Sequence, residues 1–86
     1  MRIEKKIWPE YFEKILTGEK NFEVRLADWE CKKGDILVLR EWDPGKKDYT
    51  GRVLEKEAAY VLKTKDVKFF TPEEVGEYGW QIISFK

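Results

Sequence analysis

Eighty-six residues set one domain, residues 1–86, burying roughly 60–70% of its unfolded surface in a single core. Seventeen Lys and Arg balance seventeen Asp and Glu, with the two signs mixed along the chain, so the cationic field needed for non-specific binding to a nucleic-acid backbone is missing. Histidine is absent and Cys31 is the single cysteine, which excludes Ser-His-Asp and Cys-His catalysis, an intrachain disulfide and a thiolate metal cluster.

Zinc would find only carboxylates and one thiol, so no metal and no cofactor is expected. No apolar run reaches the length of a signal-peptide core or a membrane span, and the expected location is cytoplasmic with no membrane partner. Charged residues at 40%, dominated by Lys and Glu, fit a thermophile-like composition. Four Trp, four Tyr and five Phe are many for one small core, which leaves some rings for a ligand.

In chain order, Arg2 to Ile7 reads as a first strand with Ile3 and Ile7 as its apolar members. Trp8-Pro9 opens a helix: Pro suits a first turn, and Glu10 and Glu13 suit the positive end of the dipole. Tyr11, Phe12, Ile15 and Leu16 recur at helical spacing, and Gly18 is the expected stop. Lys20 to Leu26 follows as a second strand, with Phe22, Val24 and Leu26 on one face and Asn21, Glu23 and Arg25 on the other. Ala27 to Lys33 is a polar connection containing Trp29. Asp35 to Trp42 is a third strand, buried on both faces because Ile36 to Leu39 are consecutive apolar residues.

Asp43-Pro44-Gly45-Lys46-Lys47-Asp48 is a loop. Tyr49 or Thr50 to Leu62 returns as a long strand whose length implies a bend or bulge near Gly51 or Ala58-Ala59. Thr71-Pro72-Glu73-Glu74 carries a helix-start signature, giving a short helical turn near residues 72–76, and Gly79 to Lys86 reads as a closing strand. Five strands and one early helix define an α+β, mostly β fold: a small bent sheet or partly open β-barrel with the helix plugging one end.

The most concentrated functional signal is Gly18-Glu19-Lys20-Asn21-Phe22-Glu23-Val24-Arg25. Glu23 can accept from an exocyclic amine, Arg25 offers a planar fork to phosphate or carbonyl, and Lys20 can meet an anion. By alternation Lys20 shares the parity of Phe22, so it joins Glu23 and Arg25 only if it lies at the bend leaving the helix. The competing reading is a salt pair on a solvated strand, with Lys20 a lysine at a helix C-terminus. Trp8 fits a core or staple residue as well as a stacking platform; Trp42 fits barrel packing as well as a pocket wall; Lys6 fits a pocket lining or a solvated strand face. Cys31, near Lys32 and Lys33, is either reactive or incidental.

Lys6-Ile7-Trp8, the helix, Gly18-x-Lys20-x-x-Glu23-x-Arg25 and Lys33-Gly34-Asp35 together resemble the ASCH domain of the PUA-like superfamily. The likeness is clearest over residues 5–43, and is greatest to a small ASCH-related family that continues as Leu39-Arg40-Glu41-Trp42-Asp43 does here. The resemblance implies a PUA-like β-barrel with an RNA or nucleoside/nucleotide partner. Some ASCH relatives are amidohydrolases acting on an acetylated cytidine and others are ribonucleases; in the amidohydrolases the motif lysine, here Lys20, is catalytic. A threonine of those relatives falls at Glu23, Arg25 matches, and Glu55 and Glu57 are candidates for a further glutamate.

Without that hydroxyl the chain loses a proposed nucleophile, and a lysine base needs a pKa lowered towards neutrality, which Glu23 opposes. The expectation is therefore an RNA- or nucleotide-binding module with ligand-binding residues Lys6, Trp8, Lys20, Glu23, Arg25 and Trp42. The alternative is a nucleoside amidohydrolase or a small metal-independent ribonuclease, with Lys20 and Glu23 catalytic. A third reading is a protein-interaction domain whose surplus aromatics mark a partner surface.

Overall fold

The first strand, β1 (Arg2–Ile7), leads directly into helix α1 (Pro9–Leu16), and the chain returns to lay β2 (Ile36–Asp43) parallel to β1. A hairpin then adds β3 (Asp48–Glu57) antiparallel on the other side of β2, and a short α2 (Pro72–Tyr78) follows. This is a computed structural model that describes residues 1–64 and 68–78. The sheet order is β1-β2-β3. The expected five-stranded barrel is replaced, among the described residues, by an open three-stranded mixed sheet. The closing strand expected at Gly79 to Lys86 lies outside the described residues.

Helix α1 begins as its sequence dictates. Trp8 is the N-cap, Pro9 occupies the first turn where a missing N–H costs nothing, and Glu10 faces the dipole. Of the four apolar residues expected to form its stripe, only Phe12 and Ile15, one turn apart, are buried. They meet Ile7 and Leu39, with Leu37 and Leu54 packed around them; Phe12 is 2% and Leu39 1% exposed. Tyr11 and Leu16 flank this stripe and remain substantially exposed. The register pairs Ile3 with Leu37, Lys5 with Leu39 and Ile7 with Glu41, so these residues share the helix-facing side of the sheet. Val38 is buried as well as Leu39. Since consecutive strand residues face opposite ways, β2 is covered on both faces at this point, as its apolar run predicts.

The strand expected over Lys20 to Leu26 does not form: these residues join no ladder. Its alternation finds no second layer to bury, because Val24 is mostly exposed and Leu26 is 78% exposed. The side chains of the opposite set tie the segment down instead, as described below. The returning strand also stops at Glu57, short of the expected Leu62. There Ala58 donates its N–H to the Asp35 carbonyl (2.8 Å) and accepts from Gly34 (2.8 Å), which closes the sheet end.

The bulge falls at Gly51. Arg40 pairs with Val53 and Trp42 with Tyr49, so Thr50, Gly51 and Arg52 stand against Glu41 alone. Gly51 adopts φ +97°, a conformation in which a Cβ is strained. The hairpin loop is set by Asp43, whose Oδ1 accepts from the amides of Gly45 (2.9 Å) and Lys46 (3.2 Å). At α2 the predicted capping box is complete: Glu74 N–H donates to Thr71 Oγ1 (3.1 Å) and Thr71 N–H to Glu74 Oε1 (3.0 Å). Those two bonds hold the Glu74 carboxyl below its ordinary pKa.

Candidate ligand-binding site

The bend after α1 decides the position of Lys20. Thr17 caps the helix and Gly18 takes φ +81°, so the Gly18 N–H reaches the Ile15 carbonyl (3.1 Å) and the Lys20 N–H reaches that of Lys14 (2.8 Å). The chain folds back over the helix end, which is the condition under which Lys20 can join Glu23 and Arg25. Lys20 Nζ donates to Glu23 Oε1 at 2.5 Å. Arg25 Nε donates to Glu23 Oε2 at 2.8 Å, and its Nη2 to the backbone carbonyl of Lys6 at 2.7 Å. Lys20 and Glu23 are largely covered and Arg25 partly so; the rings of Tyr11 and Phe22 lie 5.3 and 5.4 Å from the Lys20 ammonium. Arg25 thus docks an unpaired segment onto the outer edge of β1, using a carbonyl that a neighbouring strand would otherwise take.

Lys6 belongs to a second group as well. Its Nζ lies 3.7 Å from the centroid of Trp42 and 5.6 Å from that of Tyr49. Trp42 and Tyr49 meet edge to face at 5.0 Å, and the Arg40 guanidinium sits 3.9 Å over Tyr49. The register pairs Lys6 with Arg40, and Trp42 with Tyr49, so these residues line the sheet face opposite α1, near the C-terminal ends of the parallel strands. Five of the six expected residues are therefore joined through Lys6: Trp42 by its side chain, and Arg25, Glu23 and Lys20 through its carbonyl. Trp8 is 54% exposed at the helix N-cap, and no described ring or cation contact ties it to the group.

Three elements of this region escaped the sequence reading: Tyr49, Arg40 and the Glu41 network. Glu41 is 3% exposed. It accepts from Thr50 Oγ1 (2.5 Å), Arg52 Nε (3.0 Å) and Arg52 Nη2 (2.8 Å), and Arg52 reaches on to Glu13 (2.5 Å) with its guanidinium 4.5 Å over Phe12. The hydrogen bonds from Arg52, then Thr50, hold the Glu41 carboxyl below its ordinary pKa despite burial, and those to Glu41 and Glu13 push Arg52 higher still. The signal was present in sequence, since Glu41 has the parity of Leu37 and Leu39 and so falls on the apolar face. Tyr49 follows from counting back across the Asp43–Asp48 hairpin.

The remaining candidates lie elsewhere. Glu55 pairs with Arg2, at the far end of β1 from Lys6, and Glu57 ends β3 opposite Ile36; neither has a described contact with Lys20. Burial, then the charge of Asp35, pushes the Cys31 thiol up, so at neutral pH it is not a poised thiolate. Among the described residues no cluster of Cys, Asp and Glu has metal-binding geometry, and no helix is long and apolar enough to cross a membrane. An open groove of about 400 Å³ borders residues 31–33, 59–61 and 63, at the other end of the sheet from the Lys6 group.

A parallel strand pair with a helical crossover, extended by one hairpin strand and carrying a cation–aromatic cluster at its C-terminal ends, defines a small α+β domain. The chain belongs to the family described as a domain of unknown function (DUF3850), which it matches over residues 4–75. It is also similar to the "Uncharacterized 12.9 kDa protein in GpA 3'region" of Escherichia phage P2, with 36% identity over 63 residues. That match covers 73% of this chain and 56% of the phage protein, so the chain spans little more than half of that relative's length.

Proposed function

We propose that the chain is a binding module for a nucleobase-bearing ligand, a nucleoside, nucleotide or single-stranded RNA, held at the C-terminal ends of β1 and β2. The observation that carries this reading is the double use of Lys6, whose ammonium lies on Trp42 while its carbonyl anchors Arg25. It merges an aromatic patch and a cationic cluster into one surface, at the strand ends where open parallel sheets take ligands. Phosphate drawn to Lys6 and Arg40 would lift those cations from the rings. An exposed cation–π contact contributes about 0.5–1 kcal/mol, whereas base–aromatic stacking contributes about 1–3 kcal/mol, so the exchange favours the base. Arg25 has five N–H donors and, among the described residues, directs Nε and one Nη2 hydrogen into the fold; the others are offered to a phosphate or a carbonyl. Glu23, by gripping Lys20 and Arg25, holds both in place.

The likeness of residues 5–43 to ASCH domains of the PUA-like superfamily supports the same ligand class, and a cytoplasmic setting belongs to this reading. Calorimetric titration with nucleoside monophosphates and a short single-stranded RNA tests it. Saturable binding with a shallow salt dependence is expected, because few phosphates are engaged, and Arg25→Ala should abolish it. Binding by Arg25→Ala and Trp42→Ala indistinguishable from the parent would refute the site. The hydrolytic alternative is read in the same samples: product from an acetylated cytidine or from RNA, lost in Lys20→Ala, would replace binding with catalysis.

A further inference from the structure

We infer that the groove of about 400 Å³ bordered by residues 31–33, 59–61 and 63 is a second, separate site, which takes a phosphate group carried on a planar aromatic body. The size suits a small ligand, since such pockets commonly run from about 300 to 1,000 Å³. Lys32, Lys33 and Lys63 line it, with Tyr60 and Val61 supplying ring and apolar surface. Three cations around a half-apolar groove select an anion that also has a flat face.

Backbone bonds join the two segments where they enter the groove, next to Lys33 and Ala59. Gly34 N–H donates to the Ala58 carbonyl and Ala58 N–H to that of Asp35, both at 2.8 Å. The lysine wall is a closed turn: Asp35 N–H reaches the Lys32 carbonyl (3.0 Å), Lys32 N–H reaches Asp35 Oδ2 (2.9 Å), and Gly34 takes φ +94°. Nearby acids compensate the lysines only in part, Glu30 beside Lys63 and the Asp35 carboxylate beside Lys32. Asp35 spends one oxygen on the Lys32 amide and the other on the Met1 ammonium (3.1 Å). Those bonds, the backbone one first, hold its carboxyl below the ordinary range. Glu30 meets Lys63 at 3.3 Å, with the Lys63 side chain mostly covered and the Glu30 side chain largely exposed, so an anion entering the groove exchanges with a solvent-facing carboxylate. Lys33 makes no ion pair among the described residues.

This site does not depend on the Lys6 surface: Ile36, beside the groove, and Trp42 are six residues apart on β2, about 20 Å at about 3.3 Å per residue. The shared chemistry, a phosphate on a nucleobase-sized ring system, has two sources, a free nucleotide or the terminal nucleotide of a strand. Backbone amide NMR of the full chain, titrated with AMP, inorganic phosphate and a 5′-phosphorylated dinucleotide, tests the inference. AMP at millimolar concentration should shift the amides of residues 31–34 and 59–63, and should do so in Arg25→Ala as well as in the parent. Lys33→Gln combined with Lys63→Gln should weaken AMP about tenfold or more, with the variant's own spectral changes confined to the neighbours of residues 30, 33 and 63. Tyr60→Ala should weaken AMP and leave inorganic phosphate as it was. Tighter binding of the dinucleotide than of AMP assigns the site to a strand end, and equal or weaker binding to a free nucleotide. AMP shifts confined to the Lys6–Arg25 surface, no shifts at all, or a double variant that binds like the parent would each overturn it.

Discussion

Replacing Gly51 by Ala isolates one physical term. At φ +97° an added Cβ would meet no heavy atom within 4 Å, so the cost is conformational and not steric. Forcing an L-residue into a left-handed backbone costs roughly 1–2 kcal/mol. For a chain of this size each kcal/mol lowers the melting temperature by about 4–8 °C. Urea unfolding followed by tryptophan fluorescence should therefore show a lower midpoint with an unchanged slope. Gly51→Val should be worse than Gly51→Ala, because a β-branched side chain is least tolerant of positive φ. Gly76, inside α2, also has open space at its Cβ and no positive φ, so Gly76→Ala should act in the opposite sense and stabilise by about 0.5–1 kcal/mol. A Gly51→Ala protein as stable as the parent would show that β3 does not hold the bulge in solution, and the account of Glu41 given above would fall with it.

Phe12→Ala should remove about 3–5 kcal/mol, a large part of the stability of so small a domain; a loss under about 1 kcal/mol in denaturant melts would mean that α1 is not packed on Ile7 and Leu39. Glu41→Gln tests the buried carboxylate through pH. The folded pKa of Glu41 is depressed, so its stabilisation is present above the unfolded value of about 4.3 and is lost as pH falls through the folded one. Between pH 7 and 3 the parent should lose more stability than Glu41→Gln. Parallel loss in the two proteins would remove Glu41 from the acid response and leave it to Asp35 and Glu74, whose carboxyls are shifted the same way.

What the sequence made legible was local chemistry. Pro9, Gly18, the Asp43-Pro44-Gly45 loop and Thr71-Glu74 each act within a few residues and stand where their chemistry places them; of the two places open to a bend or bulge, Gly51 is the one that carries it. The long-range arrangement was not legible. Nothing in Arg2–Ile7 or Ile36–Asp43 distinguishes a parallel pair from two members of a meander, because alternation reports which face is buried and not which neighbour is paired. Lys20 to Leu26 misled for a related reason: period-two alternation predicts a strand only where another layer covers its apolar side. Here Arg25 and Glu23 secure the segment by side-chain bonds instead. Of the site, the Lys20–Glu23–Arg25 cluster was legible because all three residues lie within one bend. Tyr49 and Arg40 needed the hairpin register first.

The bulge also links the stability of the sheet to the proposed ligand surface. Continuing the register of Leu39–Leu54 and Arg40–Val53 without interruption would bring Gly51 opposite Trp42. The two extra residues of β3 bring Tyr49 there instead, and because two residues preserve parity, Tyr49 stays on the face that holds Lys6 and Arg40. The same insertion lets both Thr50 and Arg52 reach Glu41 on the other face. One glycine conformation therefore sets the aromatic pair on one side of the sheet and the buried carboxylate network on the other. It follows that Gly51→Ala should weaken nucleotide binding at the Lys6 surface by more than its loss of stability explains, measured at a temperature where the variant is fully folded. Glu41→Gln, which disturbs the network and leaves the register, should weaken it less. Equal losses in the two variants would mean that Tyr49 contributes nothing to the ligand surface.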